Sequence, residues 1–273
     1  MSQIRFANSE DGWAFDPALW STEDGGATWA RVNLPGVAAN AIVQSLETAD
    51  GLVSAAAEGA SDTVTLETSR VGSGVWKADL AQLPLGAGPI PAPQLVLQGA
   101  TGWFVEVDRV VISGARLEGG QWQPWQPPCL GSGGAADLAA STPLDLIAVC
   151  DQGLWATATP AGPQTYVSAD GGASFEGAGP AAPSGVGEEA DPIASPAPGV
   201  AVVAGGSGLL ATFDGGATWT TVYTAPADTG VAYVGFETST QGVAIASDDA
   251  GATTVGALLI TFDGGHSWSP VAL

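Results

Sequence analysis

An all-β chain, built as a six-bladed β-propeller with four antiparallel strands per blade, is what this sequence predicts, and three observations predict it. An eight-residue phrase occurs four times, and degenerate copies extend the series to six. The copies recur at intervals of 44 to 53 residues, the period of a blade repeat. Between them lie short apolar segments punctuated by glycine and proline, with no helical stripe of useful length.

The phrase is Ser/Thr-x-Asp-Gly-Gly-x-Ser/Thr-aromatic. Its copies are Thr22-Glu-Asp-Gly-Gly-Ala-Thr-Trp29, Ser168-Ala-Asp-Gly-Gly-Ala-Ser-Phe175, Thr212-Phe-Asp-Gly-Gly-Ala-Thr-Trp219 and Thr261-Phe-Asp-Gly-Gly-His-Ser-Trp268. Glycine admits the positive φ angles of a tight turn. The carboxylates of Asp24, Asp170, Asp214 and Asp263 can accept backbone N–H groups within that turn. Trp29, Phe175, Trp219 and Trp268 supply apolar area that anchors the next strand. The degenerate copies end at Trp76 and Trp122; they keep Gly72 with Gly74 and Gly119 with Gly120, and they lack the aspartate.

Each interval parses into four strands. In the last they fall at 231–236, 241–246, 257–261 and 267–271, and in the first at 4–6, 12–15, 18–21 and 29–32. Elsewhere the strand signals are 41–43, 64–66, 95–97, 110–112, 146–149, 154–155, 200–203 and 209–210. Prolines 35, 84, 127, 180 and 226 interrupt outer strands and divide one domain, 1–273, into blades at 1–35, 36–84, 85–127, 128–180, 181–226 and 227–273. One closed ring is expected. The alternative is a seven-bladed parent that lacks an N-terminal blade here. Two stretches, 131–143 and 180–198, read as surface loops.

Composition narrows the partners. Six Lys and Arg stand against 28 Asp and Glu, a formal net charge of -22, while charged residues total only 12%. Phosphate-dominated binding of nucleic acid or anionic membrane needs clustered cations, so both are excluded; a cationic partner or a bound cation is compatible. No run of about 20 apolar residues exists to insert in a membrane. The start, Met1-Ser-Gln-Ile-Arg, has no signal-peptide core. Cys129 and Cys150, the only cysteines, are a disulfide candidate, with two buried free thiols as the alternative. A bridge would stabilise by roughly 3 kcal/mol and would favour an oxidising compartment. The expectation is therefore an exported protein (periplasmic, extracellular or cell-surface) whose leader is absent from this chain, with a cytoplasmic location still open.

The four phrases resemble Asp-boxes, or BNR repeats, of the kind found in sialidases, sortilin-type propellers and the photosystem II assembly/stability factor family. The last group and its bacterial relatives are the most similar. Their blades run from an aromatic first strand through a Gly-Trp-Ala-like second strand to the Asp-Gly-Gly turn, as residues 6–29 and 234–268 do here. The resemblance implies that the boxes are structural, at the turn between third and fourth strands and away from a central site. It points to a non-catalytic scaffold for a protein partner, and a monomer is expected. The boxless turns of blades two and three should then rely on glycine alone.

Sialidase chemistry needs three converging arginines, a tyrosine nucleophile and carboxylate acid–base groups. Gln3-Ile-Arg-Phe6 does not match the Phe/Tyr-Arg-Ile-Pro segment, and Arg31, Arg70, Arg109 and Arg116 fall at outer strands or turns. Tyr166 lies two residues ahead of a box. A two-carboxylate glycoside hydrolase would draw on Asp11, Asp16, Asp108, Glu188, Glu189, Asp248 or Asp249; each is more simply a solvated loop acid. Asp248 with Asp249, or Glu188, Glu189 and Asp191, could ligate calcium, and no other cofactor is implied. His266 alone makes no zinc site. Of the ten tryptophans, Trp13, Trp20 and Trp155 read as core and Trp103 as the start of a strand. Trp125 reads either as packing on the next blade or as an exposed contact for a protein or sugar. The function expected is a protein-binding or assembly scaffold, with a glycan-active or glycan-binding propeller as the alternative.

Overall fold

The computed structural model describes residues 3–59, 63–85, 93–108, 110–130, 136–150, 163–179, 192–205, 208–226, 229–247 and 255–271. The fold class is the expected one, an all-β propeller with six blades. Each blade is a four-stranded antiparallel sheet whose strands pair in sequence order. No helix occurs among the described residues. The blades fall into two compact units, residues 1–130 and 131–273, of three blades each.

Blade 1 contains β1 (Gln3–Phe6), β2 (Gly12–Phe15), β3 (Trp20–Thr22) and β4 (Ala30–Arg31). Blade 2 contains β5 (Val43–Ala49), β6 (Leu52–Glu58), β7 (Thr63–Arg70) and β8 (Trp76–Pro84). Blade 3 contains β9 (Gln94–Gln98), β10 (Thr101–Asp108), β11 (Val110–Glu118) and β12 (Gln121–Trp125). In the second unit, blade 4 is β13 (Ala136–Ala140), β14 (Leu146–Cys150), β15 (Gln164–Ser168) and β16 (Glu176–Gly177). Blade 5 is β17 (Ile193–Ala197), β18 (Val200–Gly205), β19 (Gly208–Thr212) and β20 (Thr220–Thr224). Blade 6 is β21 (Gly230–Phe236), β22 (Gly242–Ser247), β23 (Val255–Thr261) and β24 (Ser269–Val271).

Two expectations are corrected here. β13 lies inside 131–143 and β17 inside 180–198, both read from sequence as loops. β13 is Ala-Asp-Leu-Ala-Ala, buried throughout; packing between sheets, not β-propensity, makes it a strand. β17 contains Pro196, and its register with β18 shifts between Ala194 and Ala197. The irregularity accommodates a residue that cannot donate to the ladder.

The core lies between adjacent sheets. Trp13, Phe15 and Leu19 of blade 1 pack on Val53, Ala55 and Ala57 of blade 2. The opposite face of blade 2, with Ala56, Val64 and Leu66, packs on Phe104, Leu117 and Trp122 of blade 3. Val202 and Leu209 of blade 5 meet Val234, Leu259 and Trp268 of blade 6. Strand β6 shows the rule: Ala55, Ala56 and Ala57 are fully buried on alternating faces, because small side chains let a middle strand be covered on both sides. An ion pair also ties blade 1 to blade 2. Arg5 Nε and Nη2 donate to Glu47 Oε1 at 3.0 and 2.9 Å. Burial pushes the Glu47 carboxyl up, and the Arg5 charge opposes that rise.

Candidate functional site

The four boxes fold identically, and each residue of the consensus has a bond. The first Ser/Thr is buried at the end of the third strand, and its hydroxyl donates to Asp Oδ1 at 2.8–2.9 Å. The same hydroxyl accepts the N–H of the second glycine at 2.7–3.1 Å. Asp Oδ1 accepts the backbone N–H of the second Ser/Thr at 2.8–3.0 Å. Oδ2 accepts that residue's hydroxyl at 2.6–2.7 Å. The sequence reading assigned only backbone partners to the aspartates. The two hydroxyls were missed, although Ser/Thr at both positions in every copy was the available signal.

These donors stabilise the ionised form. The Ser174 hydroxyl, then its N–H, hold Asp170 down to about 2. The Ser267 hydroxyl and N–H likewise hold Asp263 at about 2. Asp24 and Asp214 are lowered by Thr28 and Thr218 in the same way.

Each box also docks onto its own blade. The N–H of the first glycine donates to a carbonyl in the connection between first and second strands: Gly25 to Glu10, Gly171 to Leu144, Gly215 to Gly199 and Gly264 to Thr240, at 2.8–2.9 Å. Blade 2 makes the same dock without an aspartate, from the Val71 N–H to the Gly51 carbonyl at 2.9 Å. Its turn does not rely on glycine alone, which corrects the sequence expectation. Ser69 Oγ donates to the Val75 carbonyl at 2.8 Å and lies 3.0 Å from Ser73 Oγ, which accepts the Val75 N–H. Blade 3 does use glycine alone: Gly119 and Gly120, at φ 60° and 79°, form the two-residue link from β11 to β12.

Four of the closing tryptophans divide into two groups. The indole N–H of Trp29 and of Trp268 returns to its own turn, at Gly26 and Gly265. Phe6 and Phe236 stand edge-on to these two indoles at 6.3 and 5.8 Å. Trp122 instead donates to Thr68 of blade 2, and Trp219 to Thr165 of blade 4, at 3.1 and 3.3 Å. These two join neighbouring blades. Phe175 is half-buried ahead of the short β16.

The other sequence candidates do not converge. Asp11 accepts from Asn8 Nδ2 at 2.8 Å. Asp16 sits at φ 58° before a cis proline, and Asp108 ends β10. Arg31 is exposed and donates to the Ala39 carbonyl, Arg70 is exposed at a turn, and Tyr166 is half-buried within β15. Arg116, in β11, is half-buried and lies 4.0 Å from Glu118. Trp13 and Trp103 are core residues; Trp20 and Trp125 are half-buried. Glu188, Glu189, Asp191, Asp248, Asp249, Arg109 and Trp155 lie outside the described residues, so the calcium candidates do too. Among the described residues no three His, Cys, Asp or Glu are grouped to hold a metal. Cys129 and Cys150 are both buried and both disulfide-bonded.

A cleft opens beside the box of blade 4 and is bounded on the blade 5 side by Ser195, Gly199 and Gly215. Its volume is about 390 Å³, within the roughly 300–1,000 Å³ typical of ligand pockets. Leu146, Ile147 and Val167 form its apolar wall; Asp145, Asp170 and Glu176 line it with carboxylates.

No protein-family model matches this chain, and no curated protein matches it. Among solved structures it is similar to YCF48 bound to D1 peptide, at 17% identity and a TM-score of 0.60, over 98% of this chain and 79% of that one. It is similar to the extracellular domain of BT4673 from B. thetaiotaomicron, at 10% identity and a TM-score of 0.61, over 100% of this chain but only 33% of that one. It is also similar to the fucose-specific lectin from Aleuria aurantia, at 13% identity and a TM-score of 0.50, over 98% of this chain and 92% of that one. At these identities the likeness is one of fold: the chain is a β-propeller that shares its architecture with YCF48.

Proposed function

We propose that this chain is a non-catalytic protein-binding scaffold, of the kind its resemblance to photosystem II assembly/stability factors implies. The observation that carries this reading is the state of the box carboxylates. All four spend both oxygens on their own turns and are held ionised, which suits a rigid frame rather than proton transfer. The YCF48 likeness supports it, because that protein was solved with a peptide. The buried, disulfide-bonded Cys129 and Cys150 support an exported protein in an oxidising compartment.

The test is a peptide library presented to the intact chain, alongside a panel of glycosides. Saturable binding to a subset of peptides, with no glycoside turned over, is the expected result. Turnover of a glycoside at an enzyme-like rate would sink it. A glycan-binding reading has the lectin likeness behind it; capture of fucosides with no peptide bound would favour that instead.

A further inference from the structure

The charge of this chain is divided unevenly. All six Lys and Arg precede residue 117, so the second unit, 131–273, has none, against 14 Asp and Glu. The cleft beside the blade 4 box lies inside that unit. The two ion pairs among the described residues both lie in the first unit.

The neighbouring pair of boxes differs from that of blades 4 and 5 at two positions. Between blades 5 and 6, Phe213 stacks on His266 with ring centroids 3.7 Å apart and planes 4° from parallel. Phe213 precedes the box aspartate, and His266 follows the two box glycines. The same two positions between blades 4 and 5 are Ala169 and Ala217, and Ala169 lines the cavity. Two small side chains thus stand at the positions that the stacked pair fills in blades 5 and 6.

From this geometry we infer that the cleft docks a lysine- or arginine-bearing segment of a protein partner. A basic side chain has an apolar stem and a cationic head. The stem fits the wall of Leu146, Ile147 and Val167, and the head fits among Asp145, Asp170 and Glu176. Asp170 stays ionised down to about 2, and its Oδ2 takes only one bond within the turn, which leaves that oxygen room for a second donor. A second copy of this unit offers no lysine or arginine to enter the cleft. The inference rests on the protein-binding reading and adds the site and the chemistry of the partner.

The probe is a fluorescent Gly-Arg-Gly-Arg-Gly peptide, titrated with the full chain at pH 8, with the citrulline peptide as its neutral twin. The expected result is saturable binding that weakens at least tenfold with citrulline and falls with added salt. Ala169→Phe with Ala217→His transplants the stack from blades 5 and 6 and leaves the net charge unchanged at that pH. It should weaken binding at least tenfold; undiminished binding would overturn the site while leaving the scaffold reading intact. Should that pair fail to fold by circular dichroism, Glu176→Gln, on an exposed side chain, should weaken binding several-fold, and no change would overturn the site. Equal affinity for arginine and citrulline peptides would overturn the charge assignment. A chain that binds fucosides and no peptide from the library would remove the parent reading itself.

Discussion

The two units solve one problem with different chemistry. Every blade of the second unit that reaches its third-to-fourth strand turn does so through an Asp-box; in the first unit only blade 1 does. Yet blade 2 makes the same dock as the boxes, from Val71 to Gly51 at 2.9 Å against 2.8 Å from Gly215 to Gly199. The dock is therefore a requirement of the blade, and the aspartate is one way to shape the turn that makes it. Ser69 and Ser73 are another. What the carboxylate adds is charge, in a unit that has no lysine or arginine to offset it.

The largest effect should come from the box glycine whose substitution would press hardest on a neighbouring blade. Gly216 sits at φ +90°, and a Cβ there would come within 2.3 Å of Thr165 Cγ2. Gly216→Ala combines left-handed backbone strain with overpacking and should cost about 3 kcal/mol. Gly120→Ala in the boxless turn of blade 3, at φ +79° with nothing within 4 Å, should cost only the strain, about 1 kcal/mol. Paired denaturant melts check the contrast. Equal costs would mean that the box turn does not bear on its neighbour.

The inter-blade indoles come next. Trp122→Phe keeps most of the buried ring but loses the bond to Thr68, and Trp219→Phe loses the bond to Thr165. Each should cost about 1 kcal/mol beyond the lost ring area. Thr68→Val should cost little more when combined with Trp122→Phe, and a double-mutant cycle reads that coupling. Ser69→Ala is expected to be of similar size, about 1 kcal/mol, because Ser69 is buried and its hydroxyl holds the Val75 carbonyl. A negligible loss would return blade 2 to the glycine-only turn read from sequence.

What could be read in advance follows from which residues carry their own signal. The boxes were legible because Asp-Gly-Gly fixes a turn locally, and Trp29, Trp219 and Trp268 mark the strand that follows. Strands β6 and β13 were not, because alanine has little β-propensity and is there to fit between two sheets. Pro196 disguised β17 for the opposite reason, as a breaker tolerated at an irregular register. The cleft was invisible too. Ala169 and Ala217 mean nothing as residue types until Phe213 and His266 are seen stacked at the equivalent positions of the next pair.

The smallest effect is the one that separates the two turn chemistries most directly. An aspartate whose folded pKa lies below its unfolded value of about 3.8 stabilises the fold above that value and ceases to do so as pH falls through the folded pKa. Asp170 and Asp263, at about 2, should thus withdraw their support between about pH 4 and pH 2; Asp24 and Asp214 shift in the same direction. The serine turn of blade 2 has no carboxylate to titrate. The amide protons of Thr28, Ser174, Thr218 and Ser267, each bonded to a box Oδ1, should therefore move in an NMR titration with midpoints below 3.8, at about 2 for Ser174 and Ser267. The Val75 amide, bonded to Ser73 Oγ, should stay still over the same range. Three of the four box amides belong to the second unit, so acid should loosen that unit before the first. If Ser174 titrates near 3.8 instead, its bond to Asp170 is too weak in solution to make the box differ from the serine turn.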